Sequence, residues 1–263
     1  MAVRKMLEFF AAYAKVNMQA AMEYRMNFIV QAGGMIISDI AWLIFWLIFF
    51  AKFPAVNGWG FSDVVMMFSI ITMTYGIITF IFGNFRYMAD IIIKGNMDYY
   101  LALPKSPLLH MLISRSNFSG AGDFLFGLVV FFFVVPTNLQ SIILFSALMA
   151  MSLIMLLHFA IIIGSLTFFI GGTGRIQDTL LFSIVAFSSY PFSSFDGVVK
   201  ILLLTAIPVG FITGIPVEIM KSFNPALMIY MFIATVAIVA AAHIIFRIGL
   251  KRYESGNLIN ARI

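Results

Sequence analysis

Between Asn27 and Phe50 the chain carries one ionisable side chain, Asp39, in an otherwise apolar run. About 20 mostly apolar residues are enough for a helix to cross a bilayer. In lipid every backbone N–H and C=O must be satisfied internally, so a run of this length reads as a helix. Comparable runs recur at 62–84, 117–136, 139–171, 177–190 and 225–246. Only 10% of residues are charged and the mean hydropathy is +1.05, whereas about a quarter are charged in a soluble domain. The sequence therefore predicts an all-α integral membrane protein with six transmembrane helices, and one membrane domain over 1–263 uses the whole chain. The run at 139–171 is too long for a straight perpendicular crossing at 1.5 Å per residue, so it must tilt or project.

Residues 1–26 do not read as a cleavable signal peptide, because Arg4 and Lys5 are followed by Glu8, Lys15, Gln19 and Glu23 instead of an apolar core. At helical spacing Glu8, Ala12, Lys15, Gln19 and Glu23 form one stripe. Met6, Phe9, Phe10, Tyr13, Val16, Ala20 and Tyr24 form the other. This pattern predicts a helix lying in the membrane interface. The turn at 51–61 contains Trp59, an aromatic suited to the membrane boundary, and Ser62 is placed to cap the second span.

The net charge of +5 follows topology. The cations stand beside apolar spans and not on one basic face, which argues against a nucleic-acid partner. The segment Val198–Met220 is apolar but broken by Pro208, Gly210, Gly214 and Pro216. If it dips in and returns, only Lys52, Lys200 and Lys221 of the 16 Lys and Arg lie outside, and both termini are cytoplasmic. If it crosses as a kinked span, the tail with Arg247, Lys251, Arg252 and Arg262 falls outside. The positive-inside rule favours the re-entrant arrangement, with 191–222 as an external re-entrant region before span 6. Broken backbone at membrane depth must be buried in protein or line a wet cavity.

The longest polar interruption in the first half is Phe85–Ser116, between spans 2 and 3. It carries Arg86, Lys94, Lys105 and Arg115 against Asp90 and Asp98. Gly95 is suited to end a short helix from Arg86 to Lys94. Asp98 is placed to cap a turn that Pro104 ends, and Ser106 with Pro107 starts another helix. Two readings remain open for this segment: a cytoplasmic platform that presents side chains to a soluble partner, and a packed connector.

Asp39 near the middle of the first span, and Asp123 about two turns into the third, are expensive to bury and must face protein or water. Each is a candidate for the transport path, and for Asp39 a hydrogen bond inside the bundle is an equal alternative. His158 reads as a hydrogen-bonded interior residue, and His110, His158 and His243 are scattered in sequence. The chain has no cysteine, which excludes disulfides and thiolate chemistry. Gly171–Gly174, followed by Arg175, lacks the spacing and lysine of a phosphate loop. No H-E-x-x-H is present, and Gly164-Ser165 lacks a nucleophile elbow. No catalytic residue, metal site or cofactor site is expected on this chain.

Four groups of residues carry a likeness. They are Gly95 to Asp98 leading into Leu103, Pro104 and Pro107; Tyr190, Pro191 and Phe192 before Phe195 and Gly197; Ile207, Pro208 and then Pro216; and Arg247, Gly249 and Arg252 to Gly256. In this order they resemble the permease subunits of ABC-2 type transporters, in the bacterial six-span branch without a fused ATPase. One departure is Leu103, where a basic residue often precedes the first proline. The resemblance implies a subunit in the bacterial cytoplasmic membrane that moves a substrate out of the cytoplasm. A separate ABC ATPase subunit would bind ATP and Mg, and a second permease copy or paralogue would pair with this one. It implies an ATPase-contacting cytoplasmic coupling loop with Arg86, Asp90, Lys94, Gly95, Asp98, Pro104, Lys105 and Pro107. It also implies a path or gate beside Asp39, Asp123, Tyr190, Pro191, Phe195, Pro208 and Pro216. The alternative from another class is a self-sufficient ion-coupled carrier or channel.

Overall fold

The computed structural model describes residues 2–23, 25–104 and 106–254. Among them the fold is helical and without strands. Helices α1 (Ala2–Glu23), α2 (Arg25–Lys52) and α3 (Phe61–Ile81) open the chain. A 3-10 turn at Gly83–Arg86 and three short helices follow: α4 (Met88–Ile93), α5 (Met97–Leu101) and α6 (Pro107–Ile113). Then come α7 (Gly120–Val134), α8 (Leu139–Ser165), the short continuation α9 (Thr167–Ile170), α10 (Gly174–Phe187), α11 (Gly197–Thr205), α12 (Ile215–Lys221) and α13 (Pro225–Leu250).

Among the described residues four helices are long and apolar enough to cross a membrane: α2, α3, α8 with its continuation, and α13. The broken pair α11 and Gly210–Lys221, bent by 80°, adds a fifth if it is one span. The expected third and fifth spans are realised as helices of only 15 and 14 residues. The third begins late because 114–119 is irregular, with Asn117 accepting hydrogen bonds from the backbone N–H and the hydroxyl of Ser119. The fifth starts after Gly171 and Gly172, both at positive φ.

Helix α3 is the axis of the bundle. In its most apolar window 78% of residues are buried, against 11% in α2 and 22% in α13. Small residues allow this. A Cβ on Gly76 would lie 2.6 Å from the carbonyl oxygen of Gly120 and the backbone nitrogen of Phe124. Ser69 Oγ donates to the carbonyl of Gly127 at 2.8 Å, and Thr72 Oγ1 donates to its own helix at Phe68. Lipid offers little hydrophobic drive for helix association, so contact of this kind, backbone against backbone, carries the packing.

Helix starts follow local chemistry, with corrections. Asn138 caps α8 by accepting from the backbone N–H of Ser141, and Asn224 caps α13 ahead of Pro225. Ser62 does not cap α3: the helix begins one residue earlier, and Asp63 in its first turn accepts from the N–H of Gly60 at 2.8 Å. Asp98 likewise lies inside the first turn of α5, where Asn96 precedes the helix without a side-chain cap. Trp59 in the turn before α3 is 1% exposed, packed inside the protein. In α1 the expected polar stripe is exposed and Phe9, Phe10 and Tyr13 are half-buried, whereas Val16 and Ala20 of the apolar stripe are exposed. Met6 and Tyr24 are the parts of that stripe outside the described side chains.

Candidate coupling platform and membrane carboxyl pair

The segment 83–116 has its own buried floor. Phe85, Met88, Ile92, Met97, Leu108, Met111, Leu112 and Ile113 face inward, so apolar side chains, more than its charges, fix its shape. Gly95, at φ 73°, ends α4 as its left-handed preference requires, and Pro107 occupies the first turn of α6. Buried polar side chains, one from α10 and one within the segment, hold it in place. Gln177, fully buried in α10, donates to the carbonyl of Phe85 at 2.6 Å and accepts from the N–H of Ala89 at 3.0 Å. The second bond satisfies one of the orphan donors at the start of α4. Asn84 donates to the carbonyl of Met111 and to Ser114 Oγ.

Both ends of the chain reach the segment as well. Tyr13 of α1 lies 2.7 Å from His110 Nδ1, and Asn17 donates to the carbonyl of Ile113 and to Ser116 Oγ. Burial pushes the Tyr13 phenol up, with Tyr99 and Tyr100 adding to it. Beyond α13, Tyr253 donates to the carbonyl of Gly95 at 2.9 Å. Its phenol is pushed up to about 12, first by burial and then by the Asp98 carboxylate beside it, so it stays a protonated donor at physiological pH.

The outward face of the platform mixes apolar and charged groups. Ile93, Tyr99 and Leu101 are exposed, with Lys94, Asn96 and Pro104 around them. Lys94 pairs with Asp90 at 3.4 Å, and Arg86 reaches Tyr75 at 3.3 Å and Asp178 at 3.9 Å. These pairs are exposed and contribute little to stability. Lys105 lies outside the described residues.

Asp39 of α2 and Asp123 of α7 stand on two helices that pack against each other. Asp123 is 3% exposed, and neither of its carboxyl oxygens has a hydrogen-bond partner among the described residues; the same holds for Oδ2 of Asp39. Pro208 and Pro216 are buried in the bent segment against α3 and α8, where Gly210 and Gly214 admit the ring of Phe192. Tyr190 packs edge-on against Trp42 and Trp46, Pro191 is buried, and Phe195 meets Phe187 and Phe192.

Sequence reasoning missed a polar knot at the end of the bundle opposite the platform. Trp59 Nε1 donates to Glu218 Oε1 at 2.5 Å. Lys221 pairs with Asp63 at 3.0 Å and donates to the carbonyl of Gly58. Asn57 donates to the carbonyl of Ser193, and Lys200 lies 5.5 Å from the Phe192 ring. The two histidines that looked scattered are also neighbours: the rings of His158 and His243 are 5.5 Å apart between α8 and α13. No group of three or more His, Cys, Asp or Glu suited to a metal occurs among the described residues.

A helical bundle with several membrane-length helices, and with a pinned cluster of short helices at one end, defines a multi-pass membrane protein. The family model described as ABC-2 family transporter protein matches residues 36–256, and the chain belongs to that family. Neither a curated protein nor a solved structure matched.

Proposed function

We propose that this chain is the permease subunit of an ATP-driven exporter. A separate ATPase subunit binds ATP and Mg and docks on 85–116, and a second permease copy or paralogue completes the path. The observation that carries this reading is the platform: a rigidly held floor under an exposed face of Ile93, Lys94, Tyr99, Leu101 and Pro104. A mere connector has no need of pins from α1, α10 and the segment after α13. Closure of the ATPase subunits would push on this face, and the pins would pass the force to α1 and α10.

The topology proposed with it has six crossings: α2, α3, α7, α8, α10 and α13, with both termini cytoplasmic in a bacterial cytoplasmic membrane. The bent segment is then re-entrant from outside. Its support is that Lys200 before the bend and Lys221 after it both lie near the turn that joins α2 to α3, through Phe192, Ser193 and Gly58. In this arrangement Tyr190, Pro191, Phe195, Pro208 and Pro216 border an external gate, and Asp39 and Asp123 lie beside the path.

The test uses exposed residues only, because the floor of the platform is structural. Tyr99→Asp with Leu101→Asp is expected to abolish co-purification of the ATPase from native membranes while the permease stays folded. An ATPase retained at wild-type stoichiometry, with its activity unchanged, would remove the docking assignment. The second reading, an ion-coupled carrier, draws on the unpartnered Asp39 and Asp123. It requires gradient-driven transport in vesicles without any ATPase, lost in Asp39→Asn.

A further inference from the structure

Along α1, between the start of α2 and the end of α3, two cavities adjoin. The first, of about 520 Å³, is polar: Asn17, Asn27, Gln31, Arg115 and Asn117 line it, with Phe28 and Phe118 as an apolar wall. The second, of about 310 Å³, is an apolar groove along Phe10, Ala14, Met18, Phe80 and Ile113. They share the wall made by Asn17, Ser116 and Phe118.

The polar cavity has unused donors. Arg115 is held with its guanidinium 4.7 Å from the centre of the Tyr87 ring, and no carboxylate pairs with it among the described residues. Asn27 uses its oxygen to accept from Gln31, and Asn117 uses its oxygen on Ser119. The NH2 group of each is left over for a ligand. A guanidinium fixed against an aromatic ring, with amide donors beside it, matches the oxygens of a phosphate. The adjoining groove has no charged lining residue and suits an alkyl chain. The first cavity lies at the first turns of α2 and the second at the last turn of α3, and the ends of membrane-length helices are where lipid headgroups give way to acyl chains.

We propose that these two cavities bind an anionic phospholipid, with its phosphate on Arg115 and the amides of Asn27 and Asn117, and one acyl chain in the groove beside Ala14 and Met18. The lipid would bridge α1, α2 and the end of the platform. The site needs neither an ATPase partner nor a particular orientation in the membrane, so it stands or falls separately from the transport reading.

The experiment is a thermal-unfolding titration of the purified full chain in a non-ionic detergent. Its probes are dioleoylphosphatidylglycerol, dioleoylglycerol with the same chains and no phosphate, and inorganic phosphate. The phosphatidylglycerol is expected to raise the unfolding midpoint well above the other two. Losing one charge-assisted contact corresponds to about tenfold in affinity, so Arg115→Gln should need about tenfold more of this lipid for the same rise. Ala14→Trp, which fills the groove and leaves the arginine in place, should weaken the response as well and serves if the first variant does not fold. A rise of equal size with dioleoylglycerol would mean that no anion is recognised. An equal rise with inorganic phosphate would mean that the ligand is a soluble anion. Either result, no rise with any probe, or both variants responding as wild type, overturns the proposal.

Discussion

Gln177 joins two parts of the chain that are 88 residues apart, and its amide supplies both a donor and an acceptor to the platform. Gln177→Leu keeps the bulk and leaves the Phe85 carbonyl and the Ala89 N–H without partners, at about 1–3 kcal/mol for each buried group. The expected outcome is faster hydrogen exchange confined to 83–93, with the rest of the bundle unchanged. Unaltered exchange there would mean that the buried floor alone holds the segment. Nothing near Gln177 in the sequence points to this role, because a glutamine in an apolar helix looks the same whether it faces lipid, water or a distant backbone. Gly95 and Pro107 were legible because their effect is local: one tolerates positive φ and the other fixes the first turn of a helix. Asp98 misled, since a carboxylate near a helix start serves as well inside the first turn as at the cap.

At the scale of elements, the contact between α3 and α7 decides the packing. Gly76 faces Gly120 with no room for a side chain on either. Gly76→Ala must move one backbone away from the other, an overpacking cost of about 1–3 kcal/mol, and Gly76→Leu is expected to prevent folding. Thermal unfolding in detergent reads this directly; an alanine variant as stable as wild type would show that the two helices have slack. The sequence offered the glycines but not their facing partners. The break in the segment before α13 was legible from Pro208, Gly210, Gly214 and Pro216. Its 80° bend and the Phe192 ring seated on its two glycines were not, since they depend on a residue outside the segment.

For the whole molecule, topology is the testable quantity, and a chain without cysteine suits single-cysteine labelling. Cysteines replacing Asn57, Lys200 and Lys221 are expected to react with a membrane-impermeant reagent from outside intact cells. Cysteines replacing Lys94 and Lys251 should react only after permeabilisation. Lys200 and Lys221 reacting from opposite sides would make the bent pair a full span and reverse the C-terminal side. Accessibility of the outer residues also tests the polar knot, because Lys221 is tied to Asp63 and Gly58 in the folded state.

The apolar runs by themselves determined that the protein is helical and lives in a membrane, because lipid leaves a chain no other way to satisfy its backbone over such lengths. The order of its glycines, prolines and aromatics pointed to the ABC-2 family before any contact was known. Only the tertiary structure decided that His158 meets His243, that Trp59 is buried on Glu218, and that Gln177 and Tyr253 hold the platform. Those pairings join residues far apart in the chain. In a membrane bundle the surface facing lipid is as apolar as the interior, so hydropathy gives the spans without telling which face of each turns inward.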